Sequence, residues 1–203
     1  VDTVHSKGLK AGIWLAPFVC ELKSKVYSEH PEWIYRENGK EVFAGNNWSG
    51  DVVLDIRIPE VQDYVRRCLE FYKELGFDFF KLDFLYAAAL ISGKEVSGTD
   101  FSVMKGSETV SVMPGGLAHT RAEIMRSAMK GLREILKDRL ILGCGVPLAS
   151  AFGMVEYCRI GTDVTPEWDN KAYMQLTHRE RPSTKNSILN SVFRRQLNGR
   201  AFV

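Results

Sequence analysis

Apolar positions along this chain follow two alternating patterns. Short continuous runs, such as Gly12-Ile13-Trp14-Leu15-Ala16, Val52-Val53-Leu54 and Leu140-Ile141-Leu142, read as buried strands. Between them lie stretches with helical spacing. Val61, Tyr64, Val65, Cys68, Leu69, Tyr72 and Leu75 repeat at three- and four-residue intervals and define one inner helical face. The pattern predicts strands over 10–16, 52–56, 77–84, 140–145 and 156–160. It predicts helices over 59–75, 121–136 and 185–198. Residues 1–7 read as the tail of a helix closed by Gly8, and 201–203 as the start of a further strand.

Punctuation residues support these bounds. Pro17 and Pro147 stop their strands, and Pro59 suits a first helical turn. Thr120 with Glu123 three residues on is a capping-box signature, while Gly76 and Gly199 close helices. Three connections are long. Residues 17–50 carry Trp33, Tyr35 and Trp48 around an Asn38-Gly39 turn, and 86–119 are rich in glycine and serine. The third runs over 166–182. Strands alternating with amphipathic helices predict an α/β fold built on a parallel sheet, of the (β/α)8 TIM-barrel type. A whole barrel takes about 250 residues, so 203 residues are expected to form a single-domain partial barrel, about strands 3 to 6 and the start of 7.

Composition narrows the function classes. A net charge of +2 offers no electrostatic case for nucleic acid or a membrane surface. No apolar run approaches the ~20 residues of a membrane span, and the N-terminus does not read as a signal peptide. Cys20, Cys68, Cys144 and Cys158 are scattered without a CxxC pair. That argues against a structural zinc site or a disulfide framework and makes a reducing cytoplasm the default location.

In parallel α/β folds chemistry sits at the C-terminal ends of strands. Here those ends carry Trp14, Lys81 with Asp83, Cys144, and Arg159 with Asp163. Side chains alternate along a strand, so Lys81 and Asp83 are expected on one face and Leu82 and Phe84 on the other. An ion pair in an oily strand has two readings, a structural bridge or chemistry. Asp83 and Asp163 on different strand ends form the carboxylate pair that glycosidases use. Lys81 and Arg159 would favour the ionised carboxylate or hold sugar hydroxyls, and Trp14 offers a flat wall to a pyranose. Lys81 on a barrel strand also admits a Schiff-base lyase. A sugar-binding or structural partial barrel without turnover is the non-enzymatic alternative. Among the remaining residues, Trp33 and Trp48 are read as loop anchors and Asp55 with Arg57 as a local ion pair. The histidines are read as solvated or capping groups, and Asp169 as a loop-surface carboxylate.

The order of motifs resembles the α-galactosidases of glycoside hydrolase family 36, the melibiase-like enzymes. It runs Gly12-Ile13-Trp14-Leu15-Ala16-Pro17, His30-Pro31-Glu32-Trp33, Leu54-Asp55 with Pro59-Glu60-Val61, Lys81-Leu82-Asp83-Phe84, Leu142-Gly143-Cys144-Gly145 and Arg159-Ile160-Gly161-Thr162-Asp163. The resemblance implies a retaining mechanism with Asp83 as nucleophile and Asp163 as general acid/base. It implies galactose contacts from Trp14, Lys81, Cys144 and Arg159, and no metal or organic cofactor. The implied partner is a small α-galactoside; transglycosylation or another α-configured sugar stays open, as does self-association through exposed strand edges. The family also has an Asp-Asp pair upstream and an Asn-Asp-Pro-Asp segment downstream that this chain lacks. A catalytic-domain fragment, truncated at both ends and with an incomplete pocket, is therefore expected.

Overall fold

The computed structural model describes residues 1–91, 102–105, 108–111, 120–161, 163–164, 166–169 and 183–200. The elements in chain order are α1 (Asp2–His5), β1 (Gly12–Leu15), β2 (Val19–Glu21), α2 (Lys25–Glu29), β3 (Arg36–Glu37), β4 (Lys40–Glu41), β5 (Phe43–Gly45) and β6 (Asp51–Val53). They continue with α3 (Pro59–Glu74), β7 (Phe79–Leu82), β8 (Ser102–Lys105), β9 (Glu108–Ser111), α4 (Arg121–Leu136), β10 (Leu140–Gly143), α5 (Leu148–Ala151), β11 (Tyr157–Cys158) and α6 (Thr184–Phe193).

Among the described residues, β1, β7, β10 and β11 form a parallel sheet in that order. Chain order equals spatial order, as in successive strands of a barrel wall. Trp14 pairs with Lys81, Lys81 with Leu142, and Gly143 with Cys158, so the strand ends lie level. Phe80, Leu82 and Ile141 point into the core, where α3 supplies Val61, Val65 and Leu69. Helix α4 adds Ile124, Met125, Met129, Leu132 and Leu136. Each such fully buried side chain contributes about 1.5–3 kcal/mol of transfer free energy. The expected capping box forms, with the Thr120 hydroxyl accepting from the Glu123 amide and the Glu123 carboxylate accepting from the Thr120 amide.

The sheet differs from the sequence reading at one strand. Residues 52–56, expected to join the barrel wall, instead supply β6, which pairs antiparallel with β2 and β5 in a separate sheet. A run of four or five apolar residues marks burial but does not choose a partner. Val52 and Val53 are buried between two neighbours drawn from the 17–50 connection itself. That connection is therefore structured, and its Asn38-Gly39 turn, with φ of 52° and 75°, joins β3 to β4. The strand expected over 201–203 lies outside the described residues, as do most of 86–119 and 166–182.

Candidate active site

Main-chain hydrogen bonds continue the parallel ladders one residue past each strand end. The Asp83 amide donates to the Leu15 carbonyl (2.9 Å), that of Cys144 to Leu82 (2.8 Å), and that of Arg159 to Gly143 (2.9 Å). This stitching sets Asp83, Cys144 and Arg159 in one row at the C-terminal edge, beside Trp14 on β1. Sequence separation of 69 residues between Trp14 and Asp83 collapses to a hydrogen bond, indole Nε1 to carboxylate Oδ2, of 3.1 Å.

Asp83 is the best-held group of the row. Its Oδ1 accepts from the Phe84 amide at 2.8 Å, and Lys81 Nζ stands 3.9 Å from Oδ2. Burial pushes its carboxyl pKa up. The Cys144 thiol, the Trp14 indole N–H, the Phe84 amide and the Arg159 charge outweigh that burial, and the net direction is down. Cys144 shows the reciprocal effect: burial and the Asp83 carboxylate push its thiol up to about 12. The thiol is therefore a neutral donor to Asp83, not a thiolate. Cys144 is fully buried, its thiol toward Asp83 and its main chain bonded to Leu82 and Leu85.

Asp163 stands apart from this cluster. Its side chain is 72% exposed and its carboxylate is bound by the Arg159 guanidinium. The six predicted site residues thus fall into a direct-contact set, Trp14, Lys81, Asp83 and Cys144, and an outer pair, Arg159 and Asp163, linked to it through the Arg159 charge.

Aromatic neighbours of the site escaped the alternation argument. Phe84 was expected opposite Asp83, but the strand ends at Leu82 and Phe84 takes a left-handed conformation, φ 52°. That turn brings its ring edge-on to Trp14 (6.4 Å), Trp48 (5.5 Å) and Tyr86 (6.3 Å). Trp33 is buried and stacked on His30 at 3.8 Å, as a loop anchor would be, whereas Trp48 is 56% exposed and packs on Trp14. Asp55 and Arg57 form a two-pronged ion pair of 2.7–2.8 Å. Two further readings are corrected. His5 is a hydrogen-bond partner of Asp78, its Nε2 lying 2.7 Å from Oδ2 across 73 residues of sequence. Asp169 is not a loop-surface group, since its largely buried carboxylate pairs with Lys185 at 2.9 Å. Neither partner could be read from local spacing.

Among the described residues no three histidine, cysteine or carboxylate side chains are gathered as metal ligands would be. No described helix is long and apolar enough to cross a membrane.

Comparison with known proteins gives a consistent picture. The melibiase family model matches residues 1–98. A bifunctional α-galactosidase/sucrose kinase from Mediterraneibacter gnavus is 35% identical over 65 residues, 32% of this chain and 7% of that protein. An α-galactosidase from Pediococcus pentosaceus is 31% identical over 84 residues, 41% of this chain and 11% of the relative. The α-galactosidase TtGalA from Thermus thermophilus, solved in complex with stachyose, superposes over 96% of this chain with a TM-score of 0.74 and 30% identity. This chain covers 37% of that structure. In sequence and fold the chain is thus similar to α-galactosidases of the melibiase type, over the part of their length that it spans.

Proposed function

We propose that this chain carries the reacting carboxylates of a retaining glycoside hydrolase that removes terminal α-galactosyl residues. The observation that carries the reading is the Asp83 environment, a carboxylate whose pKa is lowered by three neutral donors on three different segments while Lys81 of β7 stands 3.9 Å away. A carboxylate with these partners is pre-oriented and charged, as an attacking group must be. Solved relatives in complex with stachyose and with p-nitrophenyl α-D-galactopyranoside support α-galactosides as the substrate class.

In the first step an Asp83 oxygen bonds to the anomeric carbon as the glycosidic C–O bond breaks, and Asp163 delivers a proton to the departing oxygen. In the second step Asp163 takes a proton from water, whose oxygen displaces the Asp83 ester and restores the original configuration. Trp14 walls the apolar face of the sugar. Lys81 and Arg159 donate to its hydroxyls. Cys144 and the Phe84 amide hold the nucleophile in line.

Replacing Asp83 by Ala in the full-length protein should abolish turnover of an aryl α-galactoside. Added azide or formate should restore part of it by occupying the vacated space. Activity within a few-fold of wild type would refute the assignment of Asp83. In a substrate complex the carboxyl groups of Asp83 and Asp163 should lie about 5 Å apart, and a gap near 9 Å would mean inversion.

A further inference from the structure

Trp48 is a large apolar ring held out in solvent by an unusually well-braced loop. It lies between β5 and β6, 56% exposed, with φ at 50°, a left-handed conformation that is strained for a residue with a Cβ. Such strain persists only where the surroundings impose it, and here they do. Asp51, fully buried, accepts from the Asn47 amide at 2.9 Å and from its side-chain nitrogen at 3.2 Å. Gly50 donates to the Asn47 carbonyl at 2.8 Å and accepts from the Leu22 amide at 3.2 Å, and the Ser49 hydroxyl binds Glu21 at 2.7 Å. Gly50 stands at φ +113°, a conformation strained for any residue with a Cβ, and a Cβ there would also press Leu22 and Phe43 carbons at 3.0–3.2 Å.

This bracing does not bury the ring. It presents the ring edge-on to Trp14 at 5.9 Å and to Phe84 at 5.5 Å. Trp14 is fastened by its indole N–H to Asp83, so Trp14 walls the sugar under attack. Trp48 packs against Trp14 and is the more exposed of the two rings. We infer that Trp48 is a specificity residue that stacks on the leaving-group pyranose of an oligosaccharide α-galactoside, and that Asp51 is the positioning residue that fixes its loop. The inference rests on the α-galactosidase reading and adds to it the side of the bond on which Trp48 acts. An aromatic face pre-set on a rigid loop meets a pyranose without an ordering cost at the moment of binding.

The test compares two substrates in the full-length protein, an α-galactosyl-hexose disaccharide and α-galactosyl fluoride, whose leaving group has no ring. Trp48→Ala should lower kcat/KM for the disaccharide about tenfold, the scale of one lost aromatic contact, and leave that for the fluoride within twofold. Trp48→Phe should recover most of the loss. Equal losses on both substrates would overturn the inference by moving Trp48 to the galactose side or to the fold. No loss on either would make it a bystander. Wild-type protein inert on both substrates would bring down the α-galactosidase reading and this inference together, whereas an active wild type with an unchanged substrate ratio would bring down this inference alone.

Discussion

Two aspartates bracket strand β7, and their surroundings differ in kind. Asp78, at the entry, is held by two basic side chains and a backbone amide. His5 binds it at 2.7 Å, Arg139 at 3.4 Å and the Ala11 amide at 3.1 Å. Its carboxyl lies below the usual range because of the His5 hydrogen bond above all, against a smaller effect of burial. Asp83, at the exit, is held chiefly by neutral donors, and burial is the largest influence on it, overcome only by their sum. The entry end is further tied by Arg133, which spans the Glu156 carboxylate at 2.7 and 2.8 Å and the carbonyls of Lys137, Arg139 and Met154. Glu156 in turn accepts from the Ile141 amide at 2.7 Å. One end of the sheet gathers its acidic and basic groups into direct hydrogen-bonded pairs; the other holds its carboxylate mainly through neutral donors, with Lys81 at 3.9 Å. In barrel folds that is the division between the face that stabilises and the face that reacts.

Isosteric changes at the two aspartates test this contrast most sharply. Asp83→Asn should cost at least about 10⁴-fold in kcat while leaving stability within about 1 kcal/mol, read by turnover and by denaturant unfolding. Asp78→Asn should do the reverse, leaving kcat intact and costing about 1 kcal/mol, a modest figure because His5 is exposed. Similar activity losses at both sites would break the comparison. Next in size is Asp163→Ala, expected to lower kcat by roughly 10²–10⁴-fold and least for good leaving groups, as lost proton transfer requires.

Cys144→Ala should shift the pH profile. It removes a donor to the Asp83 carboxylate, so the proton is held more tightly and the acid limb of kcat/KM should move to higher pH. An unmoved limb would show that the thiol does not tune Asp83. At the entry end Arg133→Ala should destabilise by about 2–3 kcal/mol, since it removes a donor from one carboxylate and from three carbonyls. The smallest effect concerns acid. Asp78 is depressed in the folded state, so its contribution to stability is complete above the unfolded carboxylate value near 4 and is lost as pH falls through the folded value. In Asp78→Asn that part of the acid sensitivity should disappear.

The site reads more easily from sequence than the loops around it. Trp14, Lys81, Asp83 and Cys144 could be named because strand ends are marked locally, by the last apolar residue and the break that follows. Phe84 was misplaced because alternation assumes the strand continues, and a left-handed residue ends it. Trp48 was set aside as an anchor because exposure is not written in residue type.

By itself the sequence determined the periodic elements. The apolar runs of β1, β7 and β10, the inner faces of α3 and α4, the cap at Thr120 and the order of polar residues at strand ends all depend on neighbours within a few residues. Tertiary structure alone decided the partners. β6 left the barrel wall for β2 and β5, His5 found Asp78, Asp169 found Lys185, and Trp48 came to rest on Trp14. The physical reason is that helix and strand propensities act over one or two turns of chain. Pairing and ring contacts are settled by what else competes for the same buried surface.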